Sequence, residues 1–242
     1  MEKYKITLIE EMASKGNNEA IYEMEQLYVF NPEIEDVPIE KIKLVERYLL
    51  ELAENNDVHA MVSLGSMYYE GKGVPQSYKK AVKWYEKAAG NLDPRGLCYL
   101  GYCYFYGRDI DIDYEKAYSC FTQSAFLKDP NGMFKLGDMY YFGHYVNEDK
   151  EAAFYWYDAA DNVYGKSQYE KASIAFRLGK CYLYGEGVEQ DLSFALRKLQ
   201  TAEITFFELM DEGDQLIEVT LKKVRKEIDI VRNRIYDSYG IE

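Results

Sequence analysis

Histidine is almost missing from this chain: His59 and His144 are its only two in 242 residues. One falls at a helix start and the other in a loop, with no acid or nucleophile at a suggestive spacing, so both read as surface residues and a histidine-based triad has no support. Cysteine is also sparse. Cys98, Cys103, Cys120 and Cys181 contain no Cys-x-x-Cys pair and no even spacing, which fits reduced thiols and argues against a disulfide framework or a zinc site. No run of residues approaches a membrane span, and the opening MEKYKITLIEEM lacks an unbroken apolar core of signal-peptide length, so a cytoplasmic protein is expected. Positive charge is in deficit, with 29 Lys and Arg against 42 Asp and Glu and a net charge of −13. A field of that sign repels phosphate backbones and anionic lipid, so neither nucleic acid nor membrane is expected as a ligand. No phosphate loop or dinucleotide fingerprint appears, because Gly71-Lys72-Gly73 does not join a strand to a helix. No catalytic residue, cofactor or metal is assigned.

What the chain does have is aromatic and periodic. Apolar residues make up 48% and aromatics 16%, carried by 25 Tyr, too apolar for a disordered chain. A shift of 36 lays Leu64-Gly65 on Leu100-Gly101 and on Leu136-Gly137, and a further step of 42 reaches Leu178-Gly179. Gly71, Gly107, Gly143 and Gly185 follow the same register, as do Ala81, Ala117, Ala153 and Ala195. The longer last step places a six-residue insertion near residues 164–171.

Each unit carries the punctuation of two helices. Asp57, Asp93 and Asp129 form one column, the last two followed by Pro94 and Pro130, the pattern of an N-cap with proline at the first helical position. The glycine column at 71, 107, 143 and 185 suits the left-handed residue that closes a helix. Ser77, Asp113, Asp149 and Asp191 then cap a second helix. Hairpins of this kind cannot bury their apolar faces alone and must stack.

The stretch AMVSLGSMYYEGKGVPQSYKKAVKWYEKAAG, with its Leu-Gly, its Gly-x-Gly-Val loop and its Ala…Trp-Tyr…Ala-Ala second helix, closely resembles the Sel1-like repeat of the tetratricopeptide-like superfamily. The resemblance covers residues 57–205, and Gly185-Glu186-Gly187-Val188 repeats the loop. Arg108, Asp109, His144 and Tyr145 depart from Gly-x-Gly in the middle copies and leave the loop shape there open. The fold class it implies is all-α: a right-handed α/α superhelix, or solenoid, of stacked helix-turn-helix repeats with N- and C-terminal capping helices. The expected divisions are a capping helix at 1–16, a degenerate repeat at 17–56 whose longer loop carries Pro32 and Pro38, and repeats at 57–92 and 93–128. A repeat with the insertion at 129–170, a repeat with an extended second helix at 171–213 and a C-terminal capping helix at 214–242 complete the chain. In that last segment Ile217, Leu221, Val224, Ile228, Val231 and Ile235 form an apolar seam, read as the cover of the last hairpin, with a coiled-coil homodimer contact as the alternative.

The first helix of each repeat has two stripes. One keeps its chemistry, as in Leu97, Leu100, Gly101 and Tyr104 or Met133, Leu136, Gly137 and Tyr140, and is expected to be core. Glycine within a helix costs about 1 kcal/mol relative to Ala, so its recurrence implies a close approach of the partner helix. The other stripe varies, and corresponding faces of similar tetratricopeptide hairpins line a concave groove. Its residues Cys98, Tyr102, Tyr106, Phe134, Asp138, Phe142, Phe176, Lys180 and Tyr184 are the candidate partner-binding set, with the Cys98 thiol exposed. The function expected is a non-catalytic scaffold or adaptor holding another protein or a peptide, such as a basic-aliphatic segment, on an aromatic, acidic concave face. An inhibitor or immunity-type protein that blocks a basic effector is the alternative. The resemblance also admits a β-lactam-binding or hydrolysing enzyme, but the secreted bacterial proteins linked to that activity look cysteine-paired in each repeat, unlike this chain.

Overall fold

A computed structural model describes residues 2–31, 37–163, 167–210 and 215–239. Pro32, the first residues of the expected insertion and both ends of the expected C-terminal segment lie outside the described residues. The chain divides into two compact units, Met1–Asp113 and Tyr114–Glu242. Among the described residues there are twelve α-helices and one π-helical turn, with no strand.

The first unit contains α1 (Glu2–Ser14), α2 (Asn18–Glu25) with the π-helical turn Gln26–Phe30, α3 (Ile39–Glu54), α4 (Val58–Glu70), α5 (Tyr78–Gly90) and α6 (Pro94–Tyr106). The second contains α7 (Tyr114–Phe126), α8 (Pro130–Phe142), α9 (Lys150–Asp161), α10 (Gln168–Tyr184), α11 (Leu192–Glu208) and α12 (Gln215–Tyr239). Within each unit consecutive helices pack as stacked hairpins, so the all-α solenoid class expected from the spacing is the class found. Helix α10 is a turn longer than α4, α6 and α8 and begins at Gln168, so the boundary expected between residues 170 and 171 falls inside it.

The helix ends follow from the capping columns. Asp57, Asp93 and Asp129 accept backbone N–H bonds from Ala60, Gly96 and Gly132 at 3.0, 2.8 and 2.7 Å. Ser77, Asp149 and Asp191 do the same for α5, α9 and α11. At the other end Gly71, Gly107, Gly143 and Gly185 adopt φ between 65° and 71°, each donating its N–H to the carbonyl four residues back.

The mid-helix glycines have a steric cause. A Cβ at Gly65 would lie 2.3 Å from the Tyr85 ring, one at Gly137 2.6 Å from the Tyr157 ring, and one at Gly179 2.7 Å from Leu199. In each case the second helix of the same hairpin sets a large buried side chain directly on the glycine.

The departures from Gly-x-Gly do not change the loop. Asp109 and Tyr145 take φ of 58° and 68°, beside 70° at Gly73 and 75° at Gly187. All four loops therefore share one left-handed position, held in the middle copies by residues for which it is costly. Replacing Tyr145 by Gly relieves that backbone by about 1 kcal/mol but also removes the hydrogen bond to Glu115 and the ring contact with Tyr118 at 5.6 Å, so a net change in stability within about 1 kcal/mol is expected. Urea denaturation of the two proteins measures the difference.

The C-terminal seam caps the last hairpin. Ile217, Leu221, Val224, Ile228 and Val231 are buried against Leu199, Ala202 and Phe206 of α11 and Leu183 of α10. A homodimer contact through this seam is thereby corrected, since its apolar residues are already covered by the chain's own helices.

Candidate functional site

The variable stripe is split by burial. Cys98 is 1% exposed, so the expected exposed thiol is corrected, and all four cysteines are buried. Burial pushes the Cys181 thiol up to about 12, which removes it from thiolate chemistry near neutral pH. Tyr102, Phe134, Phe176 and Lys180 are half-buried. Tyr106, Phe142 and Tyr184 are the exposed members, at 45%, 48% and 39%. These three are the last residue of α6, α8 and α10, each immediately before the capping glycine.

Each of the three rings carries a guanidinium. Arg108 lies 5.8 Å from the Tyr106 centroid in the first unit. In the second unit Arg177 lies 5.0 Å from Phe142 and Arg234 5.4 Å from Tyr184. Arg108 also covers Tyr78 at 5.1 Å, and Tyr69, Tyr85, Tyr99, Tyr102 and Tyr106 follow one another at centroid distances of 5.2 to 6.5 Å. In the first unit the stripe is thus a run of touching tyrosines capped by one cation.

Asp138 is, with Cys98, a member of the set that the fold encloses. It is 9% exposed, and its Oδ1 accepts from Tyr157 Oη at 2.8 Å and from Arg177 Nε at 2.9 Å, while Lys135 Nζ lies 3.6 Å from Oδ2. Such a carboxylate is consumed within the fold and does not face a partner. Burial, reinforced by the charge of Asp138, drives the Tyr157 hydroxyl well above its usual range, so it remains a donor to Asp138 at all ordinary pH. Nearby, Tyr141 Oη donates to Glu186 Oε2 at 2.5 Å, and Lys150 Nζ donates to the Tyr141 carbonyl at 2.7 Å.

In the second unit the rings of this face have cations beside them as well as acids, which net charge alone did not suggest. Arg177 and Arg234 lie over the exposed Phe142 and Tyr184, Lys135 over the half-buried Phe134 and Lys180 near the buried Tyr141, whereas Asp138, Glu186 and Glu227 each accept from a tyrosine hydroxyl. The acids gather instead at helix starts and loops, where capping and the helix dipole favour them. Glu148, Asp149, Glu151, Glu186 and Glu189 line one open depression of about 730 Å³ there. Arg177 was legible only as a column: it falls 42 residues after Lys135, so two successive repeats place a cation there. Likewise in the two middle copies the residue after the capping glycine meets the first residue of the preceding second helix: Arg108 meets Tyr78, and His144 stacks on Tyr114 at 5.2 Å. Among the described residues no helix is long and apolar enough to cross a membrane, and no three His, Cys, Asp or Glu side chains converge as metal ligands.

Comparison with known proteins agrees with this architecture. The chain resembles a Sel1 repeat protein from Oxalobacter formigenes at 21% identity and a TM-score of 0.65, covering 95% of this chain and 99% of the other. It is similar to c5321, described as a protective antigen of uropathogenic Escherichia coli with an SLR fold, at 21% identity and a TM-score of 0.55, over 93% of this chain and 56% of that one. It is also similar to immunity protein Pa5087 from Pseudomonas aeruginosa, at 18% identity and a TM-score of 0.54, over 90% and 81%. At these identities the likeness is one of fold. No curated protein matches the sequence. Sel1 repeat proteins generally mediate protein–protein interactions and are typically non-catalytic scaffolds. The Sel1 repeat family matches at residues 58–91, 94–125, 130–160 and 172–197, half of the chain in all, and the chain belongs to that family.

Proposed function

We propose that this chain is a non-catalytic adaptor that holds a partner protein against the ends of its first helices. In the second unit the contact set is Phe142, Lys180 and Tyr184, with Phe134 and Phe176 beside them. In the first unit it is Tyr102 and Tyr106. The observation that carries this reading is the exposed aromatic ring at one repeat position in three successive copies, Tyr106, Phe142 and Tyr184. Rings kept about two-fifths or more exposed at a fixed register are only partly used by the chain's own packing, and large rings with few rotamers are efficient interface anchors.

A photo-crosslinking residue at Phe142 or Tyr184 is expected to capture a protein partner in cells that make this chain, and one at the more exposed Tyr155 of α9 is not. Phe142→Ala together with Tyr184→Ala should then weaken the captured partner by about tenfold or more. Unchanged affinity would move the site elsewhere.

A second reading is an immunity-type protein that blocks a basic effector. It draws on the acidic depression in the loops of the second unit and on the likeness to Pa5087. The same crosslinking separates the two, because a basic effector would be captured from Glu148 or Glu189 and released by salt.

A further inference from the structure

Arg177 is held in an unusual way. Its Nε is fixed by Asp138, whose side chain is 12% exposed and itself fixed by the buried Tyr157 hydroxyl. The guanidinium lies against the Phe142 ring at 5.0 Å and the Tyr141 ring at 5.8 Å. Its Nη1 and Nη2 make no hydrogen bond among the described residues, and the side chain is 22% exposed. Lys180, one turn further along α10, has its Nζ 5.9 Å from the same Tyr141 ring and makes no ion pair or hydrogen bond among the described residues. In a chain of net charge −13 two neighbouring cations with unused donors are out of keeping with their surroundings.

We propose that Arg177 and Lys180 form a receptor for the side-chain carboxylate of an Asp or Glu in a partner segment that also carries an apolar residue. This rests on the reading of the face as a partner site and names what that site recognises. A guanidinium whose Nε is already committed presents its two terminal N–H groups as a planar fork, and a carboxylate fits that fork with two parallel bonds. Its position is set in advance by Asp138 and the two rings, so little order is lost on binding. Phe142 and Tyr184, exposed on either side, would take the apolar neighbour of the acid. A single negative charge matches the site. Asp138 already offsets much of the Arg177 charge and Glu186 lies beside Tyr141, so a dianionic phosphate would meet excess negative field.

The test uses the full chain and two fluorescein-labelled, C-terminally amidated peptides, LEELF and LQQLF, read by fluorescence polarisation. LEELF is expected to saturate, with LQQLF at least about tenfold weaker. Arg177→Lys keeps the charge but removes the fork and should weaken LEELF by a similar factor, as should Lys180→Gln, a change at a half-buried position that breaks no ion pair or hydrogen bond among the described residues and tests the proposal even if the Arg177 variant fails to fold. Equal binding of the two peptides, wild-type affinity in both variants, or no saturation up to ~1 mM would overturn the receptor. If Phe142→Ala and Tyr184→Ala weaken both peptides alike while Arg177→Lys and Lys180→Gln weaken neither, the face binds partners but not through a carboxylate. If none of these substitutions has an effect, both readings fall. A free-acid LLLLF peptide binding as tightly as LEELF would show a terminal carboxylate to be the ligand and overturn the assignment to a side chain.

Discussion

Asp138→Ala is expected to destabilise the second unit by about 3–5 kcal/mol, because it removes one member of a buried, hydrogen-bonded charge pair and strands the others. Tyr157 loses the acceptor for a hydroxyl inside the core, and Arg177 keeps its charge in a largely enclosed place with no counter-ion at Nε. The penalty is thus mostly that of the groups left behind, not the net worth of the pair. Two further proteins separate the contributions. Tyr157→Phe alone should cost about 1–2 kcal/mol, and Asp138→Leu with Arg177→Met, which removes both charges, should recover much of the loss. Amide hydrogen exchange would place the effect in α8, α9 and α10, which share the network. A loss under about 1 kcal/mol for Asp138→Ala would mean that Asp138 is hydrated and that the buried hub does not exist.

Gly137→Leu is the second change expected to act strongly, lowering stability by about 3 kcal/mol or more. A β-carbon there would lie 2.6 Å from the Tyr157 ring and 3.3 Å from the Ala153 carbonyl, so neither a side chain nor a backbone can yield cheaply. Even Gly137→Ala should destabilise. Its gain in helix propensity of about 1 kcal/mol is smaller than the cost of moving a ring that is fully buried and hydrogen-bonded. Gly90 supplies the contrast. It ends α5 with nothing within 4 Å of where a β-carbon would stand, so the same change to Ala there meets no neighbour. Denaturant titrations that gave Gly137→Ala a stability above wild type would refute the close-approach account of the repeat glycine.

These expectations show where the sequence was readable. The Asp and Ser caps, the left-handed glycines after α4, α6, α8 and α10 and the hairpin stacking all appear as columns, because each answers a demand made within a few residues of backbone. The loops were less readable. A Tyr in place of the second glycine suggested a changed loop, yet Tyr145 holds φ at 68°, since the packing of neighbouring hairpins fixes the backbone whatever the side chain.

The candidate site was legible as a register and not as an environment. Counting by threes and fours found Tyr106, Phe142 and Tyr184, but the same count also collected Cys98 and Asp138, which the adjoining helices bury. It passed over Arg177, which neighbours Phe176 and reaches across to α8. Net charge misled for a related reason. A total of −13 says nothing about where the acids go, and here capping drew them to helix starts while the tyrosine hydroxyls engaged those near the rings.

By itself, then, the sequence determined that this chain is a Sel1 repeat protein, which repeat helices it forms, where most of them are capped though not where α10 begins, and which glycines meet a close neighbour, since these depend on local spacing. The tertiary structure alone decided that the C-terminal seam closes the last hairpin, that Asp138 is spent on holding Arg177, and that the exposed rings of the second unit stand among cations. Those outcomes depend on which side chains of successive hairpins meet, and burial and pairing between residues some 40 apart are settled only when the helices stack.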